Sequence, residues 1–198
     1  KEVDDAFRIL SAPNSPDVLR REEREIMQMA LSGHDRKKLE DHSMRYAMMF
    51  YNSYHPEENL EFIEKRIREL KALGAREIRK RLEASEKELQ ETRRKQNELL
   101  KKIGDDETVR IALLLRDIGV DRFELKNAWA GAEYSFLNVF EEVAKRIGVN
   151  IEDLMRYYSL DDMRDCLAGE PARLDEMKRK KAFYVYYSEH NKLKTAEG

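Results

Sequence analysis

Along most of the chain, apolar residues return every three or four positions, the period of an amphipathic helix rather than the alternation of a strand. The run Ser11 to Pro16 (S-A-P-N-S-P) is a turn, and Ser15 is placed to cap a helix whose first position is Pro16. That helix is expected to run to about Ser32, with Gly33 after it. The next is expected from near Asp35, with Leu39, Ser43, Tyr46, Phe50 and Tyr54 on one face, and His55-Pro56 ends it.

Residues 57–103 are the most charged part of the chain. Leu60, Ile63, Ile67 and Leu70 keep a 3-4-3 spacing, Gly74 interrupts, and Ile78, Leu82, Leu89, Leu99 and Ile103 continue in a new phase. In that phase Ser85, Thr92 and Gln96 fill the intermediate seam positions, and a polar seam is a poor one. The expectation is two antiparallel helices joined near Gly74, packed together or on neighbours, not a long self-standing coiled coil.

Gly104-Asp105-Asp106 can cap the following helix. Residues 107–147 hold the best core material, including Ile111, Leu114, Leu115, Ile118, Phe123, Leu125, Trp129, Tyr134, Phe136, Leu137 and Phe140. Gly119 and Gly131 are candidate kinks, and Gly148 fits a left-handed helix end. A short helix follows Asn150. Ser159-Leu160-Asp161-Asp162 has capping-box spacing, with Asp where Glu is usual, and its helix ends at Ala168-Gly169. Pro171 starts another helix, through about Lys180. Then the period changes: Phe183, Val185 and Tyr187 alternate with Tyr184, Tyr186 and Ser188, which is strand patterning, and Glu189-His190-Asn191-Lys192 is a turn. The fold class expected is mainly α, a multi-helix assembly with a long charged helical hairpin and a short C-terminal β-hairpin. Its parts are N-terminal helices at 1–56, the charged hairpin at 57–103, a helical core at 104–181 and the β-hairpin at 182–198.

Composition narrows the partners. Charged residues make up 39% and apolar ones 41% of the 198 residues, with mean hydropathy -0.80, a balance that suits exposed helices with one buried stripe. Lys plus Arg (38) nearly cancels Asp plus Glu (40), so the basic excess of a general nucleic-acid or anionic-membrane binder is missing. No stretch approaches the ~20 apolar residues of a membrane span. Cys166 is the single cysteine, which leaves no intrachain disulfide and no cysteine-based zinc site, and makes a reducing cytoplasm the default. The first residues, Lys1-Glu2-Val3-Asp4-Asp5, have neither an initiator Met nor the apolar core of a signal peptide. The simplest expectation is a chain that starts inside a longer one.

The residues offer no complete catalytic site. His34, His42, His55 and His190 form neither H-x-x-x-H nor H-E-x-x-H, and read as surface or loop histidines rather than metal ligands. Neither G-x-G-x-x-G nor a Walker pattern supplies a phosphate loop, and no G-x-S-x-G elbow presents a nucleophile. The acid pairs Asp105-Asp106 and Asp161-Asp162 stand at helix starts, where capping explains them. Basic clusters at Arg76 to Arg81 and at Arg93 to Lys95 are interleaved with Glu83, Glu86, Glu88 and Glu91 at pairing distances, a solvated face. A third lies at Lys178 to Lys181. No catalytic, cofactor-binding or metal-ligating residue is assigned.

The C-terminal half nonetheless carries an ordered set of motifs. Glu142, Ala144, Arg146 and Gly148 lie on one helix; Tyr158, Ser159, Asp161 and Asp162 open another; Arg179 and Phe183 lead into the strand. With Leu114-Leu115-Arg116-Asp117 upstream, this order resembles the central helical region of PEP-utilising phosphotransferases, the phosphoenolpyruvate synthase and pyruvate phosphate dikinase family. The resemblance covers roughly residues 35–198 and is strongest over 109–198. It implies a parent enzyme that moves a phosphoryl group from ATP, with Mg, to a histidine on a swivelling domain. The phosphohistidine motif, the ATP-grasp loop and the barrel of that family are missing from this sequence, and His190, in S-E-H-N, does not match, so no catalytic residue carries over. The implied role is mechanical, with other domains of the same chain as partners and a homo-oligomer as a further option. The alternative is a stand-alone helical adaptor that uses 57–103 to bind a partner helix.

Overall fold

Several helices in this chain begin where a side chain accepts from a first-turn N–H, at Asp17, Asp35, Asn150 and Ser159, and three end at a glycine, Gly33, Gly74 or Gly148. A computed structural model describes the backbone of residues 2–51, 53–169, 184–189 and 192–197. It is mainly helical. Among the described residues the helices are α1 (Glu2–Ser11), α2 (Val18–Ser32), α3 (Arg36–Arg45), α4 (Pro56–Leu73), α5 (Ala75–Leu100), α6 (Asp106–Ser135), α7 (Leu137–Ile147), α8 (Ile151–Tyr157) and α9 (Leu160–Leu167), with a 3-10 turn at Ala47–Phe50. The helix expected from Pro171 to about Lys180 lies outside the described residues, as do the cluster Lys178 to Lys181 and the turn at His190-Asn191.

One start, one end and one whole helix differ from the sequence reading. Asp17, not Ser15, caps α2, accepting from the Arg20 N–H at 2.9 Å; the charged oxygen of Asp stands nearer the first turn and wins. α3 stops at Arg45 rather than continuing to residue 54. Yet Leu39, Ser43, Tyr46, Phe50 and Tyr54 are all buried, so the expected stripe does face inward although the backbone beneath it changes form. α1 occupies a segment to which the apolar periodicity assigned no element. Gly74, with φ 85° and ψ 152°, is the only residue between α4 and α5. Few side chains other than hydrogen tolerate that region.

The chain divides into two compact units, Lys1–Tyr134 and Ser135–Gly198. In the first, Ile26, Met27, Met29 and Ala30 of α2 meet Leu39, Phe50, Leu60, Ile63, Ile67 and Ile78 in one core. Full burial of one such aliphatic side chain contributes about 1.5–3 kcal/mol. α2 touches both α4 and α5. Arg93 donates to the Asn14 carbonyl, Arg20 pairs with Glu88 at 3.3 Å and Arg24 with Glu86 at 3.8 Å, an order that sets α2 and α5 antiparallel. The expected polar seam of α5 has a use at Gln96, which is 2% exposed. Its Nε2 donates to the carbonyls of Ile9 (2.9 Å) and Ala12 (2.6 Å) at the end of α1, where the regular helical donors run out and Ile9 has only a long 3.4 Å bond from the Ala12 N–H besides.

α6 corrects the expectation of a core over 107–147. Its inner face packs Ala130, Phe123 and Tyr134 against Val18, Tyr46, Ala47 and Met48. Asn127 locks the contact, accepting from the Met48 N–H (3.2 Å) and donating to the Arg45 carbonyl (2.8 Å). On the outer face Ile111, Leu114, Leu115, Ile118, Leu125 and Trp129 are exposed. The helix runs unbroken through Gly119 and Gly131.

In the second unit α7 contacts α8 and α9, burying Leu137, Ala144, Ile151, Leu154 and Met163. Gly148 ends α7 in the left-handed conformation, φ 82° and ψ 31°. Asn150 caps α8, and Ser159 with Asp162 forms a complete capping box on α9.

Candidate functional site

The most concentrated chemistry lies where α2, α3 and α4 meet. Val18, Glu22, Ile26 and Met29 recur every three or four residues, so α2 carries Glu22 into the interior with its apolar stripe. His42 arrives there from α3. It is 0% exposed and Glu22 is 2% exposed. His42 Nε2 lies 3.4 Å from Glu22 Oε1, and Nδ1 lies 3.2 Å from Glu25 Oε1. Carboxylate oxygens accept only, so a ring nitrogen that carries hydrogen donates to the glutamate it faces. Arg66 of α4 donates to both oxygens of Glu22, the longer contact being 3.2 Å. Glu25 also accepts from Arg45 (2.6 Å) and from the Tyr46 hydroxyl (3.1 Å). The Tyr46 ring is 4.8 Å from that of His42.

The electrostatics follow from burial set against pairing. Burial pushes the Glu22 carboxyl up, but hydrogen bonds from His42 and Arg66 outweigh it and hold the group below its ordinary value. Glu25 behaves likewise, through His42 and Arg45. The Tyr46 hydroxyl is pushed up to about 12, by burial first and then by the negative charge of Glu25. The cluster is an ionic clamp on three helices, buried at Glu22 and His42 and open to solvent at Arg45. It offers no solvent-reachable nucleophile beside a base.

The structure thus corrects the reading of His42 as a surface or loop histidine; it is an interior one. The signal was present in Glu22, a carboxylate in register with Val18 and Ile26, which a buried charge requires to be partnered. The other candidates are scattered. His34 precedes the α3 cap Asp35, His55 is exposed before α4, and His190 lies outside the described residues. Cys166 is half-buried on α9. Asp105 accepts from the Thr108 N–H at 2.9 Å and Asp162 from the Ser159 N–H at 2.8 Å, so each acid pair supplies a helix-start acceptor. Arg94 pairs with Glu91 (2.7 Å) and Glu98 (2.6 Å), and Arg81 with Glu77 (3.4 Å), a salt-bridged surface. Among the described residues, no group of three or more His, Cys, Asp or Glu is placed to hold a metal ion. No helix among them is long and apolar enough to cross a membrane.

A groove of about 760 Å³ runs between α2 and α5, lined by Arg20, Arg24, Met27, Leu82 and Leu89 among others. Both arginines in it are already paired with glutamates of α5. No family model, curated protein or solved structure matches the chain.

Proposed function

We propose that the chain is the non-catalytic helical connecting region of a phosphoenolpyruvate synthase-like phosphotransferase. In this reading it works in the cytoplasm and positions the swivelling phosphohistidine domain relative to the ATP-grasp domain. ATP and Mg belong to other domains of the parent, and this chain holds neither.

One observation carries the reading: several of the residues behind the resemblance do a structural job. Glu142 pairs with Arg146 at 2.8 Å, Ala144 is buried, and Gly148 adopts the left-handed end of α7. Ser159 and Asp162 form the capping box of α9. Arg116 pairs with Asp117 at 3.0 Å in the Leu-Arg-Asp segment. Further on, Tyr184–Glu189 pairs antiparallel with Lys192–Glu197, Tyr186 opposite Thr195, which supports the hairpin that would lead toward the pivot. A region whose motif residues serve capping and packing suits a positioning role, since a swivelling domain needs a rigid mount at its hinge.

Two measurements test it. An antibody to this chain should detect, in source cells, a polypeptide several times heavier than 23.5 kDa. Calorimetry of the isolated chain should show no saturable heat with ATP or phosphoenolpyruvate, and micromolar binding of either would sink the reading. The second reading, a stand-alone helical adaptor, is favoured by the exposed outer face of α6, and a single band at 23.5 kDa would put it first.

A further inference from the structure

The outer face of α6 has a spacing of its own. Ile111, Leu115, Ile118, Arg122, Leu125 and Trp129 follow one another at intervals of four, three, four, three and four, and all are exposed. That is the seam of a two-helix coiled coil, narrower than the stripe a helix turns toward a globular core. The inner face, with Phe123, Asn127, Ala130 and Tyr134, is already taken by the rest of its unit. Leu125 and Trp129 are 71% and 73% exposed.

We propose that this seam is a docking surface for a second copy of the chain, whose own α6 lies against it antiparallel. Three arguments select that occupant. The first is register. With Ile111 opposite Trp129 of the second copy, Leu115 falls opposite Leu125 and Ile118 opposite Arg122, so every large apolar seam residue meets a partner. Sliding by one heptad toward the N-terminus leaves Trp129 facing Gly104, before the helix, and Leu125 facing Thr108, so two large apolar seam residues lose their apolar partners. The second is charge. The same register sets Arg122 within one turn of Asp121 of the other copy, and among the described residues neither has an ion pair within its own chain. A single charged seam position with a partner is the usual means of fixing orientation and register.

The third is area. The stretch from 111 to 129 spans about 27 Å of helix. Six exposed side chains including Leu114, at roughly 100 Å² each, present about 600 Å² per copy, close to the ~800 Å² per partner of a standard interface. Apolar patches of that size on a monomer mark interaction sites. α6 is 30 residues long, so the second copy brings a helix of matching length.

The inference concerns the chain itself and stands apart from its membership of any phosphotransferase. Trp129 is the only tryptophan, which makes the seam its own reporter. Sedimentation of the 198-residue chain from about 1 to about 200 μM should show a monomer–dimer equilibrium, with tryptophan emission moving to shorter wavelength as the dimer forms. Leu125→Glu should abolish both changes while leaving the helical circular dichroism intact, because the residue it replaces is exposed. In a Cys166→Ser background, Leu115→Cys together with Leu125→Cys should give a covalent dimer under air oxidation, and Leu115→Cys alone should not. A monomer across the whole range overturns the proposal. So does a dimer that Leu125→Glu leaves unchanged, or cross-linking of the single Leu115→Cys variant as efficient as that of the pair, which would mean a parallel arrangement.

Discussion

Gln96 and Ile9, 87 positions apart in sequence, are joined by a 2.9 Å hydrogen bond from the glutamine amide to the isoleucine carbonyl. The same amide also reaches the Ala12 carbonyl, so one buried side chain finishes the end of α1. Gln96→Leu should keep the volume, strand the Ala12 oxygen and leave that of Ile9 with only its 3.4 Å bond from the Ala12 N–H. A loss of about 1–3 kcal/mol is expected in urea unfolding. Limited proteolysis should accelerate near residues 11–16, and a variant cut no faster than the native chain would show that α1 docks by other means.

The clamp around His42 makes a sharper prediction. Removing one partner of a buried ionic group leaves the others unpaired, at a cost of about 3–5 kcal/mol in well-buried cases. Arg66 is partly exposed, so Glu22→Leu should fall at the lower end of that range. His42→Leu added to Glu22→Leu should cost less than the two single changes summed, because the pair then vanishes together. Strict additivity in the double-mutant cycle would mean that the two residues do not act as a unit.

Stability should depend on pH at both ends. Glu22 and Glu25 have folded carboxyls held below their ordinary value of 4.5, so their contribution is full above that value. It is lost as pH falls through the lowered one. Tyr46 is the opposite case: its hydroxyl is raised from 10.0 to about 12, so its contribution is present below 10 and disappears as pH rises toward 12. Melting temperature should therefore fall on the acid side, and less steeply in Glu22→Gln. Exposed pairs such as Arg94–Glu91 should add little in about 1 M salt, whereas the buried part of the acid slope should survive it.

Gly74 should not accept a side chain without cost. Nothing lies within 4 Å of where its Cβ would sit, so any penalty comes from the backbone alone. At its φ and ψ, Gly74→Ala should destabilise by about 1–3 kcal/mol in thermal or urea unfolding. A neutral substitution would mean that the corner relaxes to another conformation.

Much of this architecture was legible because its causes are local. The end of α2 before Gly33, the break at Gly74, the left-handed Gly148 and the Ser159–Asp162 box depend on residues within a turn of one another. Burial of Leu39, Ser43, Tyr46, Phe50 and Tyr54 was legible too, since periodicity reports which face is inward even where the helix stops at Arg45. What escaped depends on distant partners. Gln96 looked like a defect in a seam because its acceptors lie at residues 9–12. His42 looked like a surface group because its acceptors sit on another helix. α6 looked like core because hydrophobicity on two opposite faces cannot be told, one face from the other, without knowing which neighbour each meets.

The bond between Gln96 and Ile9 also has a bearing on how the chain is made. A ribosome working at about 5–20 residues per second reaches Gln96 roughly 4–17 seconds after Ile9. During that interval α1, only ten residues long, is too short to hold its shape alone. It waits for its fastening, and whatever meets the nascent chain in those seconds meets an unfastened first helix.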